Sequence, residues 1–187
     1  MEDAALIASA REGDLDAFAE LVRRYEHRVR AVLFRLLDDD RDVEEATQDT
    51  FVQAWRNLDR FRGDAAVFTW LYRIAVNEGL ARLRRKRVTT TDLDELAETA
   101  HAADPAAGPE QSVEAHELHE FLAARIRALT PEYRAPLVLR DVMGLSNQEV
   151  ADVLELSLAA AKSRIHRARM QIRAELERWE ERGGSLP

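Results

Sequence analysis

Residues 143–173 contain two helical patterns so close together that only a tight turn can join them. Ser146 and Glu149 have the spacing of a capping box, in which each side chain satisfies a backbone N–H at the start of a helix. Apolar residues at helical spacing continue that helix to Leu154, and a second N-cap residue, Ser157, follows after two further residues. This arrangement predicts a helix-turn-helix.

The second helix of this pair, predicted to begin at Leu158, has two unlike faces. Residues at three- and four-residue steps form an apolar face: Leu158, Ala161, Ile165, Ala168 and Ile172. The opposite side carries small or polar residues with cations beside them: Ala160, Lys162, Ser163, Arg164, His166, Arg167 and Met170. Such a helix suits the major groove of DNA, where side chains meet base edges and arginines meet phosphates. The alternative is a solvated basic helix in an ordinary helical domain.

Charge is distributed very unevenly along the chain. The formal net charge of −8 argues against a protein that holds DNA by bulk electrostatics alone. However, residues 82–87 contain five cations in six positions, whereas residues 88–120 contain nine acids and neither Lys nor Arg. Two basic surfaces, one in each half of the chain, are therefore separated by an acidic connector.

Cysteine is absent from the 187 residues, which excludes disulfides and thiolate metal sites. No apolar run approaches the roughly 20 residues that a membrane span requires, and the N-terminus lacks the basic start of a signal peptide. We therefore expect a soluble cytoplasmic protein that makes no membrane contact of its own.

His116 and His119, each followed by Glu, superficially suggest a metal site. Their spacing is three residues rather than the four of the zinc-protease motif, and no third ligand is evident. No nucleophile triad or phosphate-binding loop is visible either. We expect a protein that is not an enzyme and that has no metal and no cofactor.

The N-terminal half begins with amphipathic helices. A long helix predicted from Asp16 carries an apolar stripe that marks it as core. The next helix is predicted to begin near Asp42, and its outer side includes Gln48, Asp49, Val52 and Gln53. A surface that mixes acid, amide and valine is commonly just solvated, but it is also what a protein-docking helix presents.

Aromatic and arginine side chains alternate over residues 60–73, around a loop marked by Gly63. The aromatics are Phe61, Phe68, Trp70 and Tyr72, and the arginines are Arg60, Arg62 and Arg73. Such a mixture can stack unpaired bases and hold their backbone. Core aromatics beside solvated arginines explain it equally well, so both interpretations stay open at this point.

The second half of the chain begins with a connector. Residues 89–113 are rich in Ala and acids, are interrupted by Pro and Gly, and predict a linker with little fixed structure. Helices are then predicted from Glu114 and from Pro131, with Thr130 as the N-cap. Because the chain has only seven Gly and five Pro, we expect it to be mostly helical.

Taken in this order, the motifs resemble those of a bacterial RNA polymerase sigma factor of the extracytoplasmic-function (ECF) group. The N-terminal half carries the pattern at residues 42–55, 58–64 and 68–77, and the C-terminal half carries it at residues 129–131, 144–146 and 162–169. The resemblance covers nearly everything except the linker and the extreme ends.

The resemblance implies an all-α fold of two small helical domains joined by a flexible acidic linker. Sigma region 2 would occupy residues 1–87, the linker 88–113, sigma region 4 residues 114–180, and a tail 181–187. It also implies that the chain binds core RNA polymerase, recognises the −10 and −35 promoter elements and promotes strand opening. The linker would run through the RNA-exit and active-site channels of the polymerase.

Three functional surfaces follow from the resemblance. A docking face would bind the clamp helices of the largest polymerase subunit: Gln48, Asp49, Val52 and Gln53. A strand-opening face would recognise and open the −10 element: Arg60, Phe61, Arg62, Trp70, Arg73, Asn77 and Arg84. A groove face would read the −35 element: Ala160, Lys162, Ser163, Arg164 and Arg167. Region 4 would also contact the flap of the second-largest subunit, and an anti-sigma factor is an expected regulator.

Several positions depart from the family pattern, among them Ala81, where similar proteins often have an acid. Glu155 stands where similar proteins often have Gly at the turn, and Ala159–Ala161 replaces a Gly-Thr-Val run. Because the alanines remove a hydroxyl that could touch DNA, we expect base reading to rest more on Ser163, Arg164 and Arg167.

Two other functions stay open. A transcription regulator of the response-regulator output type has a similar Gly-Leu-Ser start to its DNA-binding helices, but it would explain residues 130–175 and not the aromatic and basic half before residue 88. A sigma-like protein-interaction module would occupy a sigma site without starting transcription.

Overall fold

The structure is a computed structural model that describes residues 2–61, 63, 66–90 and 113–183. Throughout these residues the regular structure is helical with no strand, which confirms the all-α prediction. Arg62 and most of the predicted linker, residues 91–112, lie outside the described residues. None of the described helices combines the length and the apolar character needed to cross a membrane.

The described N-terminal half contains four α-helices, with a single 3-10 turn at Leu58–Arg60 before the last: α1 (Asp3–Arg11), α2 (Leu15–Leu36), α3 (Asp40–Arg56) and α4 (Val67–Thr90). The predicted start of α3 near Asp42 is wrong. The carboxylate of Asp39 accepts a hydrogen bond from the Arg41 N–H at 2.8 Å, so the helix is capped earlier and begins at Asp40.

The apolar stripe of α2 forms the centre of the N-terminal half. Val29, Leu33 and Leu36 are fully buried, as the stripe predicted. Both α3 and α4 pack against α2. Gly79 allows α4 to approach closely, because a Cβ atom at this position would stand 3.3 Å from Cδ2 of Leu33. Each fully buried Leu or Val stabilises the fold by about 1.5–3 kcal/mol relative to an exposed one.

The described C-terminal half contains four more α-helices: α5 (Val113–Ala128), α6 (Pro131–Leu137), α7 (Asn147–Leu154) and α8 (Leu158–Glu181). Pro131 opens α6, as predicted, and Thr130 occupies the N-cap position without a side-chain capping bond. Pro136 lacks the N–H that the helical ladder needs, and the chain continues directly afterwards as a π-helical turn, Val138–Val142.

The predicted helix-turn-helix is formed by α7 and α8. The Ser146 hydroxyl accepts from the Glu149 N–H at 3.2 Å, and the Glu149 carboxylate accepts from the Ser146 N–H at 2.7 Å. The bond that the Glu149 carboxylate accepts from the Ser146 backbone N–H is the main cause of the lowered pKa of Glu149, and the Ser146 side chain adds to it. Ser157 caps α8 by accepting from the Ala160 N–H at 3.1 Å. Between the helices, Glu155 turns the chain with a φ of 54°, in the left-handed region that favours Gly.

The two halves pack against each other over a shared apolar core. Helix α7 lies on α4, while α6 and the π-helical turn lie on α2. Buried residues from both halves, such as Val76 of α4 and Val150 of α7, belong to one continuous apolar cluster. Sequence periodicity predicted each apolar face but not that faces from different halves meet.

Arg134 of α6 crosses the contact between the halves as a buried cation. The residue is only 5% exposed. Its Nη1 atom donates to the Leu36 carbonyl oxygen at 2.7 Å and to the Asp38 carboxylate at 2.9 Å. Burial lowers the pKa of Arg134, and the charge of Asp38 opposes that shift. The guanidinium therefore ties the C-terminal end of α2 to α6.

Candidate nucleic-acid interface

The groove face lies on the outer side of α8. It is exposed at Lys162, Ser163 and Arg167 and half-buried at Ala160 and Arg164. The apolar side of α8 packs on α6 and α7. The prediction that Leu158 packs inward is wrong, since this residue is 38% exposed. Leu158 occupies the first helical position, and the buried stripe begins one turn later, at Ala161.

Cations on α8 divide into paired and unpaired groups. Arg169 binds the Asp141 carboxylate through two nitrogens, at 2.5 and 2.9 Å, and this contact raises the pKa of Arg169. Lys162, Arg164 and Arg167, by contrast, form no ion pair with a carboxylate in the part of the chain that the structure describes. Unpaired cations need not break a salt bridge before they bind a phosphate or a base edge. The groove face is therefore the part of α8 best prepared for DNA.

The aromatic cluster divides between surface and core. The half-buried rings of Phe61 and Trp70 pack together with centroids 5.1 Å apart and a tilt of 47°. Tyr72 is 1% exposed, and burial raises its pKa, so this residue belongs to the core. The ring centroids of Phe68 and Tyr72 lie 6.0 Å apart, and Cζ of Arg28 lies 5.8 Å from the Phe68 ring centroid. Phe61 and Trp70 are thus the members of the cluster on which an unpaired base could stack.

Arg73 of the strand-opening face contacts residues of the C-terminal half. Its Nη2 atom donates to the Asp152 carbonyl oxygen at 2.8 Å, and its Nη1 atom lies 3.6 Å from the Glu155 carboxylate. Asn77 and Arg84, further along α4, are exposed. Helix α7 and the turn after it therefore cover part of the strand-opening face and leave the rest open.

The docking face lies on the outer side of α3. Gln48, Asp49 and Val52 are exposed, and Gln53 is half-buried. Val52 is 45% exposed, which places an apolar side chain in the middle of a polar surface. The Asp49 carboxylate accepts from Arg82 of α4 at 2.5 Å, so α3 and α4 are joined beside this face.

Sequence patterns missed the contacts of two arginines, Arg134 and Arg28. Arg134 begins an otherwise apolar run, residues 134–139, and a lone cation in such a run is a signal of a buried, partnered arginine. Arg28 lies on the polar side of α2 and carries no comparable signal. Among the described residues, no group of three or more His, Cys, Asp or Glu side chains could hold a metal ion.

The chain matches two family models and several relatives. Residues 21–89 match sigma-70 region 2, and residues 121–172 match sigma-70 region 4. The ECF RNA polymerase sigma-E factor of Escherichia coli (strain K12) is 35% identical over 178 residues, which cover 92% of this chain and 93% of that protein. The RNA polymerase sigma-H factor of Pseudomonas aeruginosa is 33% identical over 177 residues, covering 91% of this chain and 92% of that protein.

Solved structures with the same fold agree with these matches. CnrH, in complex with the cytosolic domain of CnrY, is 30% identical with a TM-score of 0.65, covering 94% of this chain and 97% of that one. The sigma factor RpoE from Bartonella quintana, in complex with the anti-sigma factor NepR, gives a TM-score of 0.70 over 87% of this chain and 98% of that one; at 22% identity it supports the fold alone. The chain belongs to the ECF group of the sigma-70 family of RNA polymerase sigma factors.

Proposed function

We propose that the groove face, the strand-opening face and the docking face perform the separate tasks of this sigma factor. The observation that carries the proposal is a set of cations on the second helix of the helix-turn-helix that have no carboxylate partner among the described residues: Lys162, Arg164 and Arg167. In the major groove of the −35 element, arginines would meet guanine edges and Lys162 a phosphate. A well-formed bidentate contact to a base discriminates by about 1–3 kcal/mol.

The strand-opening face would act on the −10 element. Phe61 and Trp70 would stack an unpaired base of the non-template strand, a contact worth about 1–3 kcal/mol per base. The arginines would hold the strand by its phosphates: Arg60, Arg62, Arg73 and Arg84. Asn77 would hydrogen-bond a base edge with its amide. Stacking and phosphate contacts together would offset the unstacking of the duplex, which costs a few kcal/mol for each flipped base.

The docking face would hold the chain on the clamp helices of the largest polymerase subunit, and region 4 would contact the flap of the second-largest subunit. Because polymerase would then supply much of the affinity for DNA, the chain can carry a net charge of −8 and still bind promoters. The chain would act in the cytoplasm without catalysis of its own, and residues 1–87 and 114–180 would be its two functional domains.

A protein partner would regulate this sigma factor. CnrH, which is 30% identical to this chain, was solved in complex with the cytosolic domain of CnrY. We propose that this chain also binds a dedicated protein, an anti-sigma factor that holds it inactive. Co-purification of the tagged chain from its own cells, with and without overproduced core polymerase, tests whether such a partner competes with polymerase.

Run-off transcription with purified core polymerase tests the proposed function. We expect initiation at sites with a defined −10 and −35 spacing only when this chain is added. Operator binding without polymerase, and no initiation with it, would favour a response-regulator type of DNA-binding protein. Polymerase binding without initiation would favour a sigma-like interaction module.

The substitution Asp49→Arg tests the docking face. It reverses the charge of an exposed residue and breaks its contact with Arg82, so we expect weaker binding to core polymerase with the fold retained. Glu26→Arg makes the same charge change at an exposed position of α2 outside the docking face and serves as the control. Equal binding by both variants in a pull-down would contradict the assignment.

A further inference from the structure

Arg11, the last residue of α1, hydrogen-bonds to the backbone at the start of the segment that contains Arg60 and Phe61 of the strand-opening face. Its Nε atom donates to the Leu58 carbonyl oxygen at 3.0 Å, and its Nη2 atom donates to the Phe61 carbonyl oxygen. These two carbonyls lie at the start of the 3-10 turn and immediately after it. One rigid, planar guanidinium therefore holds both ends of the turn that leads from α3 to Phe61.

Helix α1 is itself fixed on the rest of the N-terminal half. Leu6 and Ile7 are buried. At the start of the helix, Asp3 pairs with Arg24 of α2 at 3.1 Å and accepts from the Tyr25 hydroxyl. Because both ends of α1 are held, Arg11 couples a fixed helix to the beginning of the loop that follows Phe61.

We propose that Arg11 is a positioning residue for −10 recognition. By holding the Leu58 and Phe61 carbonyls, it keeps the Phe61 ring against Trp70, the pair on which the flipped base would stack. Arg11 precedes residues 21–89, the segment that matches sigma-70 region 2, so this role adds a further element to the −10 reader. The inference rests on the proposed function of the strand-opening face.

Promoter discrimination tests this role. Arg11→Ala and Arg11→Lys would be compared with Arg23→Ala, which removes an exposed arginine whose partner, Glu20, lies 2.9 Å away on the same helix. Transcription would be measured on two promoter pairs, one differing at a −10 base and one at a −35 base. The −10 ratio and the −35 ratio are the ratios of transcription from the two promoters of each pair. We expect Arg11→Ala to reduce the −10 ratio about fivefold, as the loss of about one hydrogen bond implies. Arg11→Lys would restore part of it, and the −35 ratio and Arg23→Ala would stay at wild-type values.

Ratios do not change with the fraction of folded protein, so poor folding cannot imitate the expected result. An unchanged −10 ratio, or an equal loss of both ratios, would overturn the role of Arg11. Trp70→Ala in the same assay separates this outcome from failure of the proposed function. If Trp70→Ala also leaves the −10 element unaffected, the strand-opening face itself is wrong.

Discussion

The two faces proposed to read DNA are presented in opposite ways in this sigma factor. The groove face stands on a helix that is supported from behind by α6 and α7, and its cations are free of carboxylate partners among the described residues. Part of the strand-opening face lies where the two halves meet, and the Asp152 carbonyl accepts a hydrogen bond from its Arg73. On the proposed assignment, the cations of the groove face displace no carboxylate when DNA binds, whereas Arg73 must first leave the Asp152 carbonyl.

This difference matches what each face is proposed to read. Duplex DNA is recognised by a rigid helix with polar and cationic side chains, and exposing such side chains to water costs little free energy. A single strand is recognised by aromatic surface, which is unfavourable in water unless it packs on something. Phe61 and Trp70 pack on each other, and α7 lies on the same helix, α4. Because Phe61 and Trp70 pack on each other, part of their apolar surface is kept from water in the absence of DNA.

The largest effect is expected from Arg134→Ala, which removes the buried tie between the halves. The substitution leaves the Leu36 carbonyl and the Asp38 carboxylate without their donor. Loss of one partner of a buried ion pair costs on the order of 3 kcal/mol, and urea unfolding measures it. Asp38→Asn, which keeps an acceptor for the guanidinium, should cost less. If Arg134→Ala were as stable as wild type, the packing of the C-terminal half on α2 and α4 would not depend on this contact.

Arg167→Ala tests the groove face without disturbing the contact between the halves. Arg167 is exposed and has no carboxylate partner among the described residues, so the free energy of unfolding should change by less than about 0.5 kcal/mol. Binding to a −35 element in a promoter that requires it should weaken by about 1–3 kcal/mol. Arg173→Ala, also exposed but paired with Glu177 at 3.0 Å, is the control. Equal promoter activity for both variants would remove Arg167 from the groove face.

Trp70→Ala tests the strand-opening face. We expect slower strand opening, by the roughly 1–3 kcal/mol that stacking of one base contributes, with a much smaller effect on formation of the closed promoter complex. Permanganate reactivity of unpaired thymines measures opening, and binding to double-stranded promoter DNA measures the closed complex. An equal loss of both, or loss of helical circular dichroism, would indicate that Trp70 is a core residue like Tyr72.

Local features of the fold could be predicted because neighbouring residues determine them. Ser146 with Glu149 and Ser157 mark the two helix starts of the helix-turn-helix through their own hydrogen bonds. The stripe of α2 was equally readable, because periodicity alone states which side of a helix is buried. The three functional faces came from the resemblance to sigma factors, and their residue roles stay predictions.

The contact between the halves could not be predicted from the sequence. Apolar periodicity shows that Val150 is buried but not that it shares a cluster with residues of α4. The main acceptors across the contact are the carbonyls of Leu36 and Asp152, and a carbonyl is the same in every residue, so it leaves no pattern in the sequence. For the same reason, the contacts of Arg11 to the Leu58 and Phe61 carbonyls had no sequence signal.

The smallest effect is expected at the start of α7, where acid should loosen the helix-turn-helix through Glu149. Its pKa is below the ordinary 4.5, because the ionised carboxylate accepts from the Ser146 N–H. The unfolded chain therefore binds this proton more readily than the folded chain, so the stabilisation is present at neutral pH and is lost as pH falls through the lowered pKa.

At neutral pH, Glu149→Gln should cost about 0.5 kcal/mol, the lower end for one hydrogen bond at an exposed site. The variant and wild type should converge in urea unfolding at a pH well below 4.5. A difference between variant and wild type that did not shrink as the pH is lowered would show that the carboxylate charge has no part in it.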